Sequence, residues 1–184
     1  MRIPIPELRI CDEPEIVRGH EAEREDVEVV KNTFGLMGWI AVSFAAGFVG
    51  SRYLPGSWYA SLAKPAWNPP SAVFAPVWSL LYVLMGVAAW LVWRKAGFSG
   101  AGVALALFLV QLVLNALWSY LFFGLHRPGS AFLDIVVLWL TIAVVATLFW
   151  RVDVRAGALM IPYVLWVGFA ACLNLALWRL NTGR

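Results

Sequence analysis

The sequence predicts an all-α membrane protein: a bundle of five transmembrane helices with a structured loop, rich in Trp and Pro, between helices 1 and 2. Hydrophobic residues make up 61% of the 184 residues and charged residues 14%, whereas soluble proteins contain roughly half and a quarter. Five apolar segments are each long enough to cross a hydrocarbon core of about 30 Å. The later connections are short, so successive helices should run antiparallel.

The first 31 residues differ from the rest, because they carry nine acidic and five basic residues and few aromatic ones. Such a segment has too little apolar surface to form a core. We therefore expect an acidic, disordered tail over residues 1–31 and a transmembrane domain over residues 32–184. A short helix over residues 21–30, or a regulatory arm that binds a partner, are the alternatives.

The apolar segments should be helical, because lipid offers no hydrogen-bond partners to the backbone. We expect helices over residues 33–53, 72–93, 100–124, 130–150 and 156–178. The sequence therefore predicts an integral, multi-pass membrane protein. Basic residues are balanced between the two sides, so they determine neither the orientation nor which membrane holds the protein. They do not predict a nucleic-acid partner.

Small residues recur four positions apart in two of the helices. The pairs are Ser43 with Gly47, Ala46 with Gly50, and Gly102 with Ala106. This spacing allows close approach of helices in lipid. It favours packing inside the bundle; homodimerisation through helix 1 or helix 3 is the alternative.

The first loop contains three Trp and four Pro between residues 58 and 78. Each Pro fixes its own φ angle and restricts the residue before it, so the loop loses little entropy on ordering. We interpret it as a structured lid over the helices.

Polar residues form stripes on two of the predicted helices. Gln111, Asn115 and Ser119 follow one face of helix 3, and Asn174 lies on a similar stripe of helix 5 with Trp166 and Ala170. Polar groups at membrane depth should face inward. They either bond between helices, with Asn115 pairing with Asn174 or with nearby backbone, or line a cavity beneath the loop.

Asp134 is the acidic residue within an apolar segment. We expect it in the first turn of helix 4, where the helix dipole favours an anion and Arg127 is near in sequence. A carboxylate that faces a ligand is the alternative.

The sequence contains no recognisable metal site, phosphate loop or hydrolytic triad. His20 and His126 are too few for a metal cage, and the sequence predicts no required cofactor. A role for His126 as an axial haem ligand remains an alternative to a solvated loop histidine.

Several separate motifs resemble one known family. They are Trp58-Tyr59, Leu62-x-Lys64-Pro65-x-Trp67-x-Pro69-Pro70, Asn115-x-x-Trp118, Pro162-Tyr163-x-x-Trp166, and Leu173-Asn174 with Trp178-Arg179. Over about residues 33–181 the sequence resembles the TspO/MBR family, the tryptophan-rich sensory proteins of bacteria and the mitochondrial translocator protein. The acidic tail lies outside this resemblance.

The resemblance implies a membrane receptor or transporter, often dimeric, that binds porphyrins such as protoporphyrin and haem and is linked to tetrapyrrole metabolism. The implied ligand-binding residues are Trp58, Trp67, Trp78, Asn115, Trp118, Trp166, Ala170 and Leu173. An alternative is breakdown of porphyrin by light and oxygen, with Trp78 and Trp166 as catalytic residues. Since helices 2 and 5 begin on opposite sides, these two tryptophans need not lie at one depth. Leu175 stands where the family's sterol motif has Tyr, which argues against sterol binding.

Overall fold

The computed structural model describes residues 13–53 and 55–182, with side chains from Glu23 onward. No strand occurs in these two ranges. Four stretches are long and apolar enough to cross a membrane: Glu23–Gly50, Ser71–Gly124, Pro128–Val152 and Val154–Asn181. The prediction of an all-helical, multi-pass membrane protein is therefore confirmed.

Helix α1 (Glu13–Gly50) begins within the segment for which the sequence analysis expected no fixed structure. Residues 23–31 are exposed along this helix. Residues 13–34 contain one Pro, in the first helical turn where its missing N–H is tolerated, and are otherwise rich in helix-forming Glu. The first twelve residues of the predicted tail lie outside the described ranges. By its contacts, the chain divides into two units, and the boundary in the sequence lies between Phe34 and Gly35.

Within the second unit, the end of α1 packs closely through its small residues. Ser43 and Ala46 are buried. A Cβ atom added at Gly47 would overlap the ring of Tyr82, and one added at Gly86 would lie 2.6 Å from the Cα atom of Ile40. The predicted small-residue packing inside the bundle is therefore present along α1.

Helix α3 (Phe74–Ser119) contains a sharp break. A straight helix of this length would extend roughly 70 Å at about 1.5 Å per residue. Gly97 instead adopts φ 62°, which glycine tolerates without steric cost, and Ala101 is also non-helical. Tyr82 is bonded to Asn115, and Met85 contacts Gln111. Because these pairs converge toward Gly97, the arms 74–96 and 102–119 run antiparallel.

The remaining helices follow with very short connections. Residues Tyr120–Gly124 form a turn of π-helix. Helix α4 (Pro128–Val152) begins with Pro at its first position. Asp153 alone separates α4 from α5 (Val154–Asn181), and its side chain caps α5 by accepting from the Arg155 N–H at 2.9 Å.

This early start of α4 corrects the expected position of Asp134. The expected start of this helix is Ser130, but Pro128 is already helical, so Asp134 is the seventh residue and lies in the second turn. The helix dipole is felt mainly in the first turn. The expected stabilisation of the Asp134 carboxylate by the N-terminus of α4 is therefore wrong.

Two groups of buried apolar residues fill the second unit. The larger group joins α1, both arms of α3, α4 and α5. The smaller group contains Phe122, Ala131, Leu173 and Leu177. Side chains of the first loop, including Trp58 and Tyr59, pack against this smaller group. It therefore connects the loop to the helices.

Candidate ligand-binding site

The first loop is ordered by a short helix, α2 (Ser57–Ser61), and by a 3-10 turn over Ser71–Val73. Between them, the side chain of Asn181 pairs with the backbone of Ala63. Its Oδ1 accepts from the Ala63 N–H and its Nδ2 donates to the Ala63 carbonyl, both at 3.0 Å. The middle of the loop is thereby fixed to the end of α5.

Lys64 stabilises the loop from within. Its Nζ donates to the carbonyls of Ala60 at 3.0 Å and Leu62 at 3.1 Å, and it lies 4.9 Å from the centre of the Tyr59 ring. An ammonium group has three donors, so one donor is left for another acceptor. Burial raises the pKa of Tyr59, and its hydrogen bond from the phenol to Asn68 lowers it by less.

Trp58 joins the loop to the connection before α4. Its indole stacks on the His126 ring with 4.3 Å between centres and 15° between planes, and it meets Phe122 edge-on at 5.7 Å. His126 has φ 54°, an uncommon conformation for a residue with a side chain. Trp118 stacks on Phe122 with 5.2 Å between ring centres.

A second run of aromatic rings leads from the loop to the beginning of α3. Trp67, 49% exposed, meets Phe169 at 5.7 Å. Phe169 lies 5.6 Å from Trp166, which in turn meets Phe74 at 5.9 Å. The Trp166 Nε1–H is buried and has no hydrogen-bond partner among the described residues. These ring contacts therefore connect the half-exposed Trp67 of the loop with Trp166 and its unpaired Nε1–H.

Trp78 and Trp166 belong to neighbouring parts of one aromatic region. Trp78 stacks on Tyr82 at 5.6 Å and meets Tyr163 edge-on at 6.2 Å. Tyr163 precedes Trp166 on α5, and Phe74 lies one turn before Trp78 on α3. Although α3 and α5 enter from opposite sides, their register brings the two tryptophans to nearby levels.

A buried hydrogen-bonded network lies next to these rings. The Tyr82 hydroxyl donates to Asn115 Oδ1 at 2.9 Å, and Asn115 Nδ2 donates to the Tyr163 oxygen at 3.2 Å. The Tyr163 hydroxyl donates to Gln111 Oε1 at 2.8 Å. Both amides face inward, as expected. Asn115 thus connects the two arms of α3 to α5.

Asn174 forms a separate connection nearer the loop. Its Oδ1 accepts from the Trp118 Nε1–H at 2.9 Å, and its Nδ2 donates to the Pro128 carbonyl at 2.8 Å. The expected bond between Asn115 and Asn174 is therefore replaced by two separate networks. Asn115 is bonded to Tyr82 and Tyr163, and Asn174 to Trp118 and the Pro128 backbone.

The structure places the eight predicted ligand-binding residues in two adjoining groups. Trp58 and Leu173 belong to the smaller apolar group, Trp78, Trp166 and Ala170 pack against the larger one, and Trp118 contacts both. Asn115 is hydrogen-bonded to Tyr82 and Tyr163, and Trp67 contacts this region through the ring of Phe169.

Sequence reasoning missed Phe169 and Asn181 as part of this region. Phe169 lies three positions after Trp166, on the same side of the helix, so this spacing could have revealed it. Asn181 carries no such local signal, because its partner is 118 residues away in the chain.

Two basic residues at the ends of this region are engaged by the protein itself. Arg52 lies 5.0 Å from the centre of the Phe48 ring, and Lys64 donates hydrogen bonds to loop carbonyls. In the described ranges, no group of three or more His, Cys, Asp or Glu residues could hold a metal ion.

An open apolar groove of about 460 Å³ lies elsewhere, between α4 and α5. Its lining includes Trp139, Gly168 and the exposed Cys172. The Trp139 Nε1–H donates to the Val164 carbonyl at 3.0 Å. None of the eight predicted ligand-binding residues lines this groove.

Comparison with known proteins agrees with the motifs. The sequence profile of the TspO/MBR family matches residues 39–179. The chain is 45% identical over 142 residues to Protein CrtK of Rhodobacter capsulatus, which covers 75% of this chain and 87% of that protein. It is 42% identical over 149 residues to Tryptophan-rich protein TspO of Chlorobaculum tepidum, covering 77% and 92%. It is 38% identical over 152 residues to the human Translocator protein, covering 80% and 90%.

Proposed function

Because this chain belongs to the TspO/MBR family, we propose that it is a membrane receptor or transporter that binds a flat tetrapyrrole, such as protoporphyrin or haem, beneath the first loop. The observation that carries the proposal is the buried Trp166 Nε1–H, which has no partner among the described residues. Buried donors are nearly always satisfied in folded proteins. An oxygen of a bound ligand would satisfy this donor.

The surroundings of Trp166 suit a planar, apolar ligand. The rings of Phe74 and Phe169 pack beside it, and Trp67 extends the same run to the half-exposed loop. Aromatic faces and edges give a flat ligand large contact area at low cost in side-chain entropy. A tetrapyrrole presents both the planar face and the carboxylate or carbonyl oxygens that these groups can bind.

The proposal includes five membrane crossings, with α3 crossing twice. Support comes from the length of Ser71–Gly124, 54 residues, and from the break at Gly97 and Ala101. The basic residues Arg94 and Lys95 lie just before this break and are exposed, as expected at a membrane surface. The proposed topology places the first loop and the connection before α4 on the same side of the membrane.

Titration of protoporphyrin into the purified protein tests the proposed site. We expect saturable quenching of tryptophan fluorescence, with an affinity about tenfold weaker in Trp166→Phe, because that variant keeps the ring and loses the donor. Trp150→Phe is the matched control, since Trp150 is 46% exposed on α4 and lies outside the aromatic run. Equal affinities of the two variants would remove Trp166 from the site.

A second candidate function is oxidative breakdown of the bound tetrapyrrole by light and oxygen. The stacked pair Trp78 and Tyr82 favours it, because it places two oxidisable rings 5.6 Å apart at centre next to the proposed ligand. Illumination in air followed by mass spectrometry distinguishes the functions. Catalysis predicts one defined product that is lost in Trp78→Phe, whereas simple bleaching predicts the same mixture from both proteins.

A further inference from the structure

Asp134 is a buried acid within a membrane-spanning helix. The residue is 9% exposed, and it belongs to the buried stripe of α4 with Ala131, Ile135 and Leu138. Acidic residues at membrane depth are costly and usually meet a protein partner or a ligand. A solvated carboxylate is stabilised by water, but the buried Asp134 needs another partner.

No protein group supplies that partner in the described ranges. The Asp134 Oδ2 atom is buried and unbonded there. Lys95 and Arg155 pair with Asp153 instead. An unpaired buried acceptor loses its hydration without compensation. A ligand that brings a donor to Oδ2 would remove this cost.

The helix register places Asp134 at a level close to that of Trp166. Asn174 bonds Pro128, and Trp139 bonds Val164, so α4 and α5 are antiparallel. Interpolation between these two contacts puts Asp134 opposite residues 168–169, less than one helical turn from Trp166. An unpaired acceptor and an unpaired donor thus lie at neighbouring levels of two packed helices.

We propose that the Asp134 carboxylate accepts a hydrogen bond from a pyrrole-type N–H of the ligand that Trp166 binds through an oxygen. The proposal rests on the proposed function and adds a rule of selection to it. Of two tetrapyrroles with the same oxygen acceptors, the one that also carries N–H donors should bind more tightly. Metal-free tetrapyrroles carry these donors, whereas a metal complex has lost the inner N–H hydrogens and should bind more weakly.

Two sources could supply the donor, a closed free-base porphyrin or an open-chain tetrapyrrole, and three probes separate them. Free-base protoporphyrin has inner N–H groups, and biliverdin has N–H groups along an open chain. Palladium(II) protoporphyrin keeps the ring and both propionates but has no N–H, and its square-planar metal takes no axial ligand. Each is titrated against the full-length protein in lipid nanodiscs, and binding is followed by tryptophan quenching.

We expect the wild-type protein to bind at least one N–H ligand about tenfold or more tightly than the palladium complex, as for a hydrogen bond to a charged group. Asp134→Leu removes the acceptor and should abolish this preference without weakening the palladium complex. Asp134→Asn keeps a neutral acceptor oxygen and should retain part of the preference. Leu133→Ala, at a position 68% exposed on the same helix, is the control and should behave as wild type.

The ligand that loses affinity in Asp134→Leu identifies the source of the donor. Equal binding of all three probes by the wild-type protein would overturn the role of Asp134 and leave the proposed function intact. An equal loss for all three in Asp134→Leu would also overturn it. If Asp134→Leu fails to fold, the wild-type comparison and Asp134→Asn decide. The absence of saturable binding of any probe would overturn both proposals.

Discussion

The side-chain amide of Asn181 pairs with the backbone of Ala63 through one donated and one accepted hydrogen bond, each 3.0 Å long. The same Nδ2 also donates to the Leu177 carbonyl at 2.8 Å. The pairing joins the middle of the first loop to the last turn of α5.

We predict that Asn181→Ala frees the loop while leaving the helices folded. Both bonds to Ala63 are lost, so amide hydrogens of residues 58–70 should exchange at least about tenfold faster, since each bond contributes roughly 1 kcal/mol. Hydrogen exchange with mass spectrometry measures this. Thr182→Ala is the control, because Thr182 bonds only within its own helix end, to the Trp178 carbonyl. Unchanged exchange in the loop would show that its packing alone holds it.

Tyr163 is predicted to be a stabilising residue of the buried network. Its hydroxyl bonds Asn115 at 3.2 Å and Gln111 at 2.8 Å, and Tyr163→Phe leaves both amides short of a partner. We expect the free energy of unfolding to fall by about 1–2 kcal/mol, measured by denaturation in detergent. Thr147→Ala, which removes an exposed bond within α4, should change it little. An equal loss in both variants would contradict the importance of the network.

These contacts show how far the sequence alone could lead. The helices were predictable because the length of an apolar segment depends only on consecutive residues. The inward position of Gln111 and Asn115 followed from their helical spacing. Which groups those amides meet depends on the register between helices, which local periodicity does not determine. The proximity of Trp78 and Trp166 also depends on this register, so it could not be predicted from the sequence. A shift of two residues in the start of α4, caused by Pro128 at its first position, was enough to remove Asp134 from the first turn.

Homodimerisation is predicted to use the second arm of α3. The paired small residues of α1 are already occupied, since Ser43 and Ala46 are buried, Gly47 faces Tyr82 and Gly50 lies against Ser119. Gly102, in contrast, has no atom within 4 Å of an added Cβ, and Ala106 is exposed. A small-residue surface of this kind permits close approach of a second helix in lipid.

Gly102→Leu should therefore convert dimer to monomer with no loss of stability, measured by sedimentation equilibrium in detergent. Gly38→Leu is the control, because Gly38 also has open space around its Cβ position but lies on α1. A wild-type protein that is already monomeric, or a dimer that persists in Gly102→Leu, would exclude this surface.

The cap of α5 gives the protein a defined response to acid. The Arg155 backbone N–H that bonds Asp153 at 2.9 Å is the largest cause that holds the pKa of this carboxyl below its ordinary value, and Arg155 and Lys95 add favourable charge. Since the pKa is lower in the folded protein than in the unfolded one, the stabilisation is fully present above the unfolded value. It is lost as the pH falls through the folded value. Asp153→Asn keeps a capping oxygen but cannot titrate.

The melting-temperature difference between wild type and Asp153→Asn should therefore be constant from pH 8 down to about pH 5 and shrink below about pH 4. Asp153→Ala should melt lower than Asp153→Asn at every pH, because it also loses the cap. A difference that changes between pH 6 and pH 8 would point to a different titrating group and contradict the assignment to Asp153.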